Sequence, residues 1–206
     1  MKATKKYLLS ILVVGSILAL SATLFSFDQP LPNGWIKAGD KPKSYDMGID
    51  KGAGPNSQNA ATIKSIEKKI DGFGTLMQQC LPDKFIGKRV RMTGYMKTKD
   101  VFEWAGLWFR VDTKEGQKNM PFDNMKDGKK DRSVKGTTDW MQYEIVLNVP
   151  NSSTNLAYGA LLSGTGQVWF ANIKFEIVDN SVPTTGYGDD DNGGALKEPT
   201  NLNFEK

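Results

Sequence analysis

From Trp35 to Val178 apolar and polar residues alternate in short runs, and no long stretch carries the i, i+3, i+4, i+7 spacing of an amphipathic helix. The runs are rich in Val, Ile, Phe, Tyr and Trp, side chains that pack well on a pleated surface. They predict strands over 34–37, 44–50, 61–68, 73–80, 88–98, 104–113, 119–124, 140–149, 155–163 and 167–178. Turn formers stand between them: Asp71-Gly72, Pro82-Asp83, Glu115-Gly116, Asp127-Gly128, Pro150-Asn151 and Gly164-Thr165-Gly166. About ten short strands in roughly 145 residues predict an all-β chain folded as a two-sheet jelly-roll β-sandwich.

The alternation also assigns faces. Over 104–112 the apolar phase is Ala105, Leu107, Phe109 and Val111, which turns Trp104, Gly106, Trp108, Arg110 and Asp112 to the other side. Over 89–97 it is Val90, Met92, Gly94 and Met96, leaving Arg89, Arg91, Thr93, Tyr95 and Lys97 opposite. Consecutive strands pair more often than not, so the expectation is one sheet face gathering Arg91, Tyr95, Trp104, Trp108, Arg110 and Asp112. Phe122-Asp123-Asn124-Met125 puts a carboxylate beside an amide at a strand end. Asp123 and Asn124 read either as further hydrogen-bonding groups for a ligand or as a turn closed by side-chain bonds to backbone. Lys135 to Trp140 reads as a tight turn into a strand, with Trp140 in the core, and Cys80 as a small buried hydrophobe.

Composition removes whole classes of chemistry. The 206 residues contain no His and one Cys, which excludes Ser-His-Asp and Cys-His nucleophile systems, His-containing zinc sites and an internal disulfide. A formal charge of +4 suggests a nucleic-acid partner until its placement is considered. The first 27 residues hold three Lys and no acid, so the remainder carries only +1, and its basic residues are interspersed with acids, as in 126–132. Nucleic acid is therefore not the expected partner.

Residues 1–27 read as a targeting segment. Lys2, Lys5 and Lys6 precede an apolar run from Tyr7 to Phe25, and Ala19-Leu20-Ser21 offers a small-x-small cleavage site. Two outcomes stay open: a cleaved signal peptide, or an uncleaved membrane anchor, since about 19 residues just span a bilayer. Either way the positive-inside rule puts the rest of the chain outside the cytoplasm, in the periplasm, secreted or held at the membrane. The sandwich is expected over 28–178, a flexible linker rich in Gly, Asp and Asn over 179–195, and a terminal segment over 196–206.

Seven motifs in order carry a resemblance: Gly-Trp-x6-Pro-x2-Tyr-x-Met-Gly-Ile-Asp (34–50), Gly-Phe-Gly-Thr-Leu-Met-Gln-Gln (72–79), Gly-Lys-Arg-Val-Arg-Met-Thr-Gly-Tyr-Met-Lys-Thr (87–98), Trp-Ala-Gly-Leu-Trp-Phe-Arg-Val-Asp (104–112), Phe-Asp-Asn-Met (122–125), Lys-Gly-Thr-Thr-Asp-Trp (135–140) and Gly-x-Val-Trp-Phe (166–170). Together they resemble a bacterial domain family with galactose-binding-like β-sandwich folds. Its members occur as standalone exported proteins and appended to AraC-type helix-turn-helix regulators, and no ligand is established for it. In such sandwiches the first strand often reads Asn-Leu-x-Phe-Glu, which here occurs only at 201–205; the resemblance implies that this tail returns to complete the sheet. Sandwiches of this kind that bind sugars often hold a structural Ca²⁺ near the first and last strands, and Glu205, Asn172 and Glu176 are the available groups; Asn172 stands where an Asp is expected, which weakens that site, and the expectation is no cofactor.

These readings converge on a non-catalytic extracytoplasmic binding module for a carbohydrate or similar polyhydroxylated ligand. Indoles accept the C–H face of a pyranose, and Arg and carboxylate groups hydrogen-bond its hydroxyls. The alternatives are a protein-interaction or ligand-sensing domain with a membrane-protein partner, and a His-free glycoside hydrolase or lyase. The last needs two carboxylates, from Asp112, Asp123, Glu103 and Glu144, within roughly 5–10 Å in one cleft.

Overall fold

The computed structural model describes residues 30–116 and 120–188. The predicted export segment over 1–27 and the predicted returning strand over 201–205 lie outside the described residues. Nine strands are described: β1 (Ile36–Gly39), β2 (Tyr45–Asp50), β3 (Ala60–Ser65), β4 (Phe73–Cys80), β5 (Lys88–Thr113), β6 (Phe122–Asp123), β7 (Val134–Val149), β8 (Ser153–Ser163) and β9 (Gln167–Val178). The fold is the expected all-β jelly-roll sandwich.

Strand β5 joins the two layers. Its first half pairs with β7 on one side and β9 on the other, and its second half pairs with β8 and β6, every pair antiparallel. The back sheet therefore runs β7-β5-β9-β3-β2 and the front sheet β1-β4-β8-β5-β6, the same strand serving both. The corner falls at Asp100, whose φ of 53° breaks the extended conformation, and the β5–β7 register slips repeatedly between Met96 and Ala105. A positive φ and a broken ladder are the usual means by which one strand leaves a sheet for another.

The two inward phases expected from alternation hold. Val90, Met92 and Met96 from the back sheet meet Ala105, Leu107, Phe109 and Val111 from the front sheet, each with no exposed surface. Met47, Ile63, Leu76, Ile145, Leu147, Leu156, Leu162 and Val168 complete the core. A Cβ on Gly94 would stand 2.5 Å from Ile173 Cδ1 and 3.1 Å from Leu107 Cδ1, so a side chain there would displace the ends of both. Trp35 packs edge-on against Tyr158 and tilted against Phe170, closing one end.

Of the expected linker, residues 179–188 are described, and they are bonded to the sandwich. Arg89 Nη1 donates to the carbonyls of Asn180 and Val182, both at 2.6 Å. The Thr185 amide bonds Val146 O, and Tyr187 exchanges two backbone bonds with Phe122. A Cβ on Gly186 would meet Phe122 O at 2.3 Å, so the small residue that reads as linker composition lets this segment press onto β6. Turn-forming composition here encodes close backbone approach rather than freedom.

Candidate functional site

Because β5 is one continuous strand, its halves cannot pair with each other, and the single ligand face expected from consecutive pairing does not form. Both inward phases point into the shared core, so both outward phases point away from it, on opposite sides of the sandwich. Arg91 and Tyr95 stand outside the back sheet. Trp104, Trp108, Arg110 and Asp112 stand outside the front sheet.

On the front face Trp104 lies opposite Ser163, Trp108 opposite Gly159, Arg110 opposite Ala157 and Asp112 opposite Asn155. Met77, Trp108, Ala157 and Leu161 form an apolar cluster separate from the sandwich core, with Ala38, Phe73, Trp104 and Phe122 packed against it. Trp108 is only 6% exposed, and its Nε1 donates to Thr75 Oγ1 at 2.8 Å. It is the floor of the face and not a free platform; Trp104 is half-buried and more open.

A polar strip borders this cluster. Arg110 grips Asp112 with two bonds, Nε to Oδ1 at 2.6 Å and Nη2 to Oδ2 at 3.2 Å. Asn155 Nδ2 donates to Asp112 Oδ2 at 2.8 Å and to Gln79 Oε1 at 3.0 Å, so the strip crosses β5, β8 and β4. Arg110 retains 37% and Asp112 28% of their side-chain exposure, leaving donors and acceptors within reach of a ligand.

Asp123 and Asn124 belong to the turn and not to a ligand surface. Asp123 sits opposite Phe109, in the inward phase, and is wholly buried. Its carboxylate pairs with Arg132 and accepts the Met125 amide at 2.7 Å. Asn124 Oδ1 accepts the amides of Lys126 and Asp127 at 3.0 and 2.6 Å. These are the local side-chain to backbone bonds by which Asp and Asn close turns.

On the back face Arg91 clips three strands together. Its Nε lies 3.1 Å from Glu144 on β7, and its Nη1 donates to Glu176 on β9 at 2.8 Å. These groups, with Thr93, Gln142, Tyr143 and Lys174, line an open cavity of about 470 Å³. Burial raises the Tyr143 phenol above its ordinary value, so it stays a neutral hydroxyl there. Tyr95 lies opposite Gln142 and Ala171.

The back face also holds two indoles that the sequence reading missed. The Lys97 ammonium stands 4.6 Å from the Trp169 ring centre and 5.4 Å from that of Trp140. Trp169 Nε1 donates to Asp50 Oδ2 at 2.7 Å. Trp140, expected in the core, is half-buried on the outward side. The available signal was phase: Trp140 alternates with Gln142 and Glu144, and Trp169 follows Gln167 two positions on, in the polar phase of each strand.

Other expectations fare unevenly. Cys80 is exposed rather than buried, because β4 ends there at the sheet margin beside exposed Leu81. Of the groups proposed for Ca²⁺, Glu176 is held by Arg91, Asn172 is exposed at a φ of 56°, and Glu205 lies outside the described residues. Among the described residues no group of three or more Asp, Glu or Cys side chains is placed to hold a metal ion. The four carboxylates considered for hydrolysis do not share a cleft: Asp112 is on the front face, Asp123 beneath that sheet, Glu144 on the back face, and Glu103 accepts a bond from Ser163.

The fold and these faces define a two-sheet jelly-roll sandwich of the architecture seen in carbohydrate-binding modules. The xylanase 10B fragment of Clostridium thermocellum with its CBM22-1 and GH10 modules, solved with xylohexaose, superposes with a TM-score of 0.53 at 12% identity, over 70% of this chain and 26% of that one. The C-terminal family 22 carbohydrate-binding module of the same xylanase gives 0.51 at 9% identity, over 73% and 90%. The CBM22-1-CBM22-2 tandem of Paenibacillus barcinonensis Xyn10C gives 0.52 at 12% identity, over 71% and 46%. At such identities the likeness is one of fold. In sequence the chain is 40% identical over 182 residues, 88% of its length, to YbfP of Bacillus subtilis strain 168, an uncharacterized HTH-type transcriptional regulator. It spans 59% of that protein. No protein-family model matches the chain.

Proposed function

We propose that this domain is a non-catalytic carbohydrate-binding module working outside the cytoplasm, and that the outward face of the front sheet is its ligand surface. One observation carries the reading: half-buried Trp104 stands at the rim of a buried apolar cluster on the outer side of the front sheet, and the partly exposed Arg110–Asp112–Asn155–Gln79 strip runs along its border. A sugar ring has that same division, with an apolar C–H face and a hydroxylated edge. Trp104 offers the stacking surface, Trp108 and Leu161 the floor, and the strip the directional hydrogen bonds. The fold shared with xylanase-attached modules supports this class of ligand, and the extracytoplasmic setting rests on the basic and apolar pattern of residues 1–27.

The test is calorimetric titration of the full-length protein with xylohexaose and a panel of other neutral oligosaccharides. Saturable binding that disappears in Trp104→Ala and in Arg110→Ala, with the melting temperature retained, is the expected outcome. Silence across the panel, or binding indifferent to both substitutions, overturns it.

A second reading, a ligand-sensing accessory domain with a membrane-protein partner, draws on the 40% identity to a transcriptional regulator. In-cell crosslinking separates the two: reproducible capture of one membrane protein, altered by added glycan, favours the sensor.

A further inference from the structure

The back face carries a cation of unusual setting. Lys97 is half-buried with its ammonium between two indole rings, and among the described residues no carboxylate pairs with it. Three arginines differ: Arg91, on the same face, is matched by Glu144 and Glu176, and elsewhere Arg110 is matched by Asp112 and Arg132 by Asp123. Indole faces attract the ammonium through their quadrupole but carry no net charge, so they supply Lys97 with no counter-ion and take none of its hydrogen-bond donors. Trp169 is held by its bond to Asp50, which gives that ring a set orientation before any ligand arrives.

The next rung extends the positive character. Lys99 and Lys64 flank Gln167 on the neighbouring strands, both exposed and neither paired to a carboxylate among the described residues. Asp46, opposite Lys64, and Asp50 lie together on β2, at the sheet edge. The strip from Lys97 to Lys99 is thus an aromatic surface whose cations form no ion pair among the described residues, on the side of the sandwich away from Arg110.

We propose that this face is a second, separate binding surface for a carboxylated saccharide, whose carboxylate meets Lys97 while its ring lies against Trp140 and Trp169. The two faces then divide ligands by charge. On the front, Arg110 is neutralised by Asp112 and suits uncharged hydroxyls; on the back, the cation between the indoles favours a uronate.

The test titrates the full-length protein with trigalacturonate and, in parallel, with its neutral galactose counterpart, at low and high salt. Trigalacturonate is expected to bind saturably, to weaken as salt rises, and to lose about tenfold or more in affinity in Lys97→Met, the scale of a lost charge-assisted bond. Trp140→Ala is expected to weaken it as well, and Arg110→Ala to leave it unchanged. Lys97→Gln, which keeps a polar chain without the charge, guards against a packing artefact by giving the same loss. The inference is overturned by absence of trigalacturonate binding, by equal affinity in Lys97→Met, by loss in Arg110→Ala instead, or by oligoglutamate binding as tightly as the sugar. Only the Arg110→Ala result touches the front-face reading, so the two proposals fail separately.

Discussion

Replacing Asp123 separates a fold-holding carboxylate from a ligand-binding one. The side chain has no exposed surface, pairs with Arg132 and accepts the Met125 amide at 2.7 Å. Arg132 in turn donates through Nη1 to Glu144 O at 2.6 Å, so the pair ties the 123–132 turn to β7. Removing one partner of a buried ion pair costs about 3–5 kcal/mol, because the other charge is left without compensation. Arg132 keeps 26% of its side-chain exposure and can reach water, which brings Asp123→Asn down to about 2–3 kcal/mol. Asp123→Ala adds about 1–3 kcal/mol, because the buried Met125 amide loses its acceptor. At about 2–4 °C per kcal/mol for a domain of this size, the Asn variant should melt about 4–12 °C lower. Calorimetric unfolding, paired with oligosaccharide titration well below the melting point, reads both quantities. The expected result is a lower melting temperature with unchanged affinity. Unchanged melting with abolished binding would refute the reasoning and return Asp123 to the ligand surface.

Three further outcomes follow from particular contacts. Tyr45 donates to the carbonyls of Gly164 and Gly72 at 2.9 and 3.1 Å, and burial first, then the charges of Glu103, Glu67 and Asp40, raise its phenol well above the ordinary value of 10.0. A raised folded-state value leaves stability intact below about pH 10 and erodes it as pH climbs further, so melting curves should fall on the alkaline side and flatten there in Tyr45→Phe. Gly159→Ala places a Cβ 2.3 Å from Leu76 O and 2.9 Å from Met77 Cα, which must spread β4 from β8. Denaturant unfolding should show a loss of about 1–3 kcal/mol, and a neutral result would contradict the close strand approach. Cys80 should react with a thiol reagent in the native protein, because it is exposed. The rate should rise steeply with pH, since partial desolvation raises its thiol and only the thiolate attacks; protection until unfolding would contradict the geometry.

Much of the fold was legible because strand periodicity is local. Strands β4 and β9 occupy the predicted 73–80 and 167–178, and Val90, Met92, Ala105, Leu107, Phe109 and Val111 all face the core as their phase required. The candidate site was legible only in part. Trp104, Arg110 and Asp112 do share a face, since i, i+2 neighbours on one strand must. Arg91 and Tyr95 do not join them, because pairing between strands is set by long-range packing and β5 turns a corner at Asp100 instead of reversing. Asp123 and Asn124 were ambiguous in sequence because the same side-chain oxygens that bind hydroxyls also close turns.

The local pattern was enough for the class of fold and for the facing of the β5 residues, since a period of two needs no knowledge of neighbours, but it misplaced Trp140 and Cys80. The sequence also bounded the chemistry, because a chain without His cannot build imidazole-based sites. Which faces coincide depended on long-range packing. It put Trp104, Trp108 and the Arg110 strip on one side of the sandwich, and brought Trp140 and Trp169, 29 positions apart in the chain, to either side of Lys97 on the other. The physical reason is that a sheet forms its surfaces from strands distant in sequence, and the bend of one shared strand determines which of them meet.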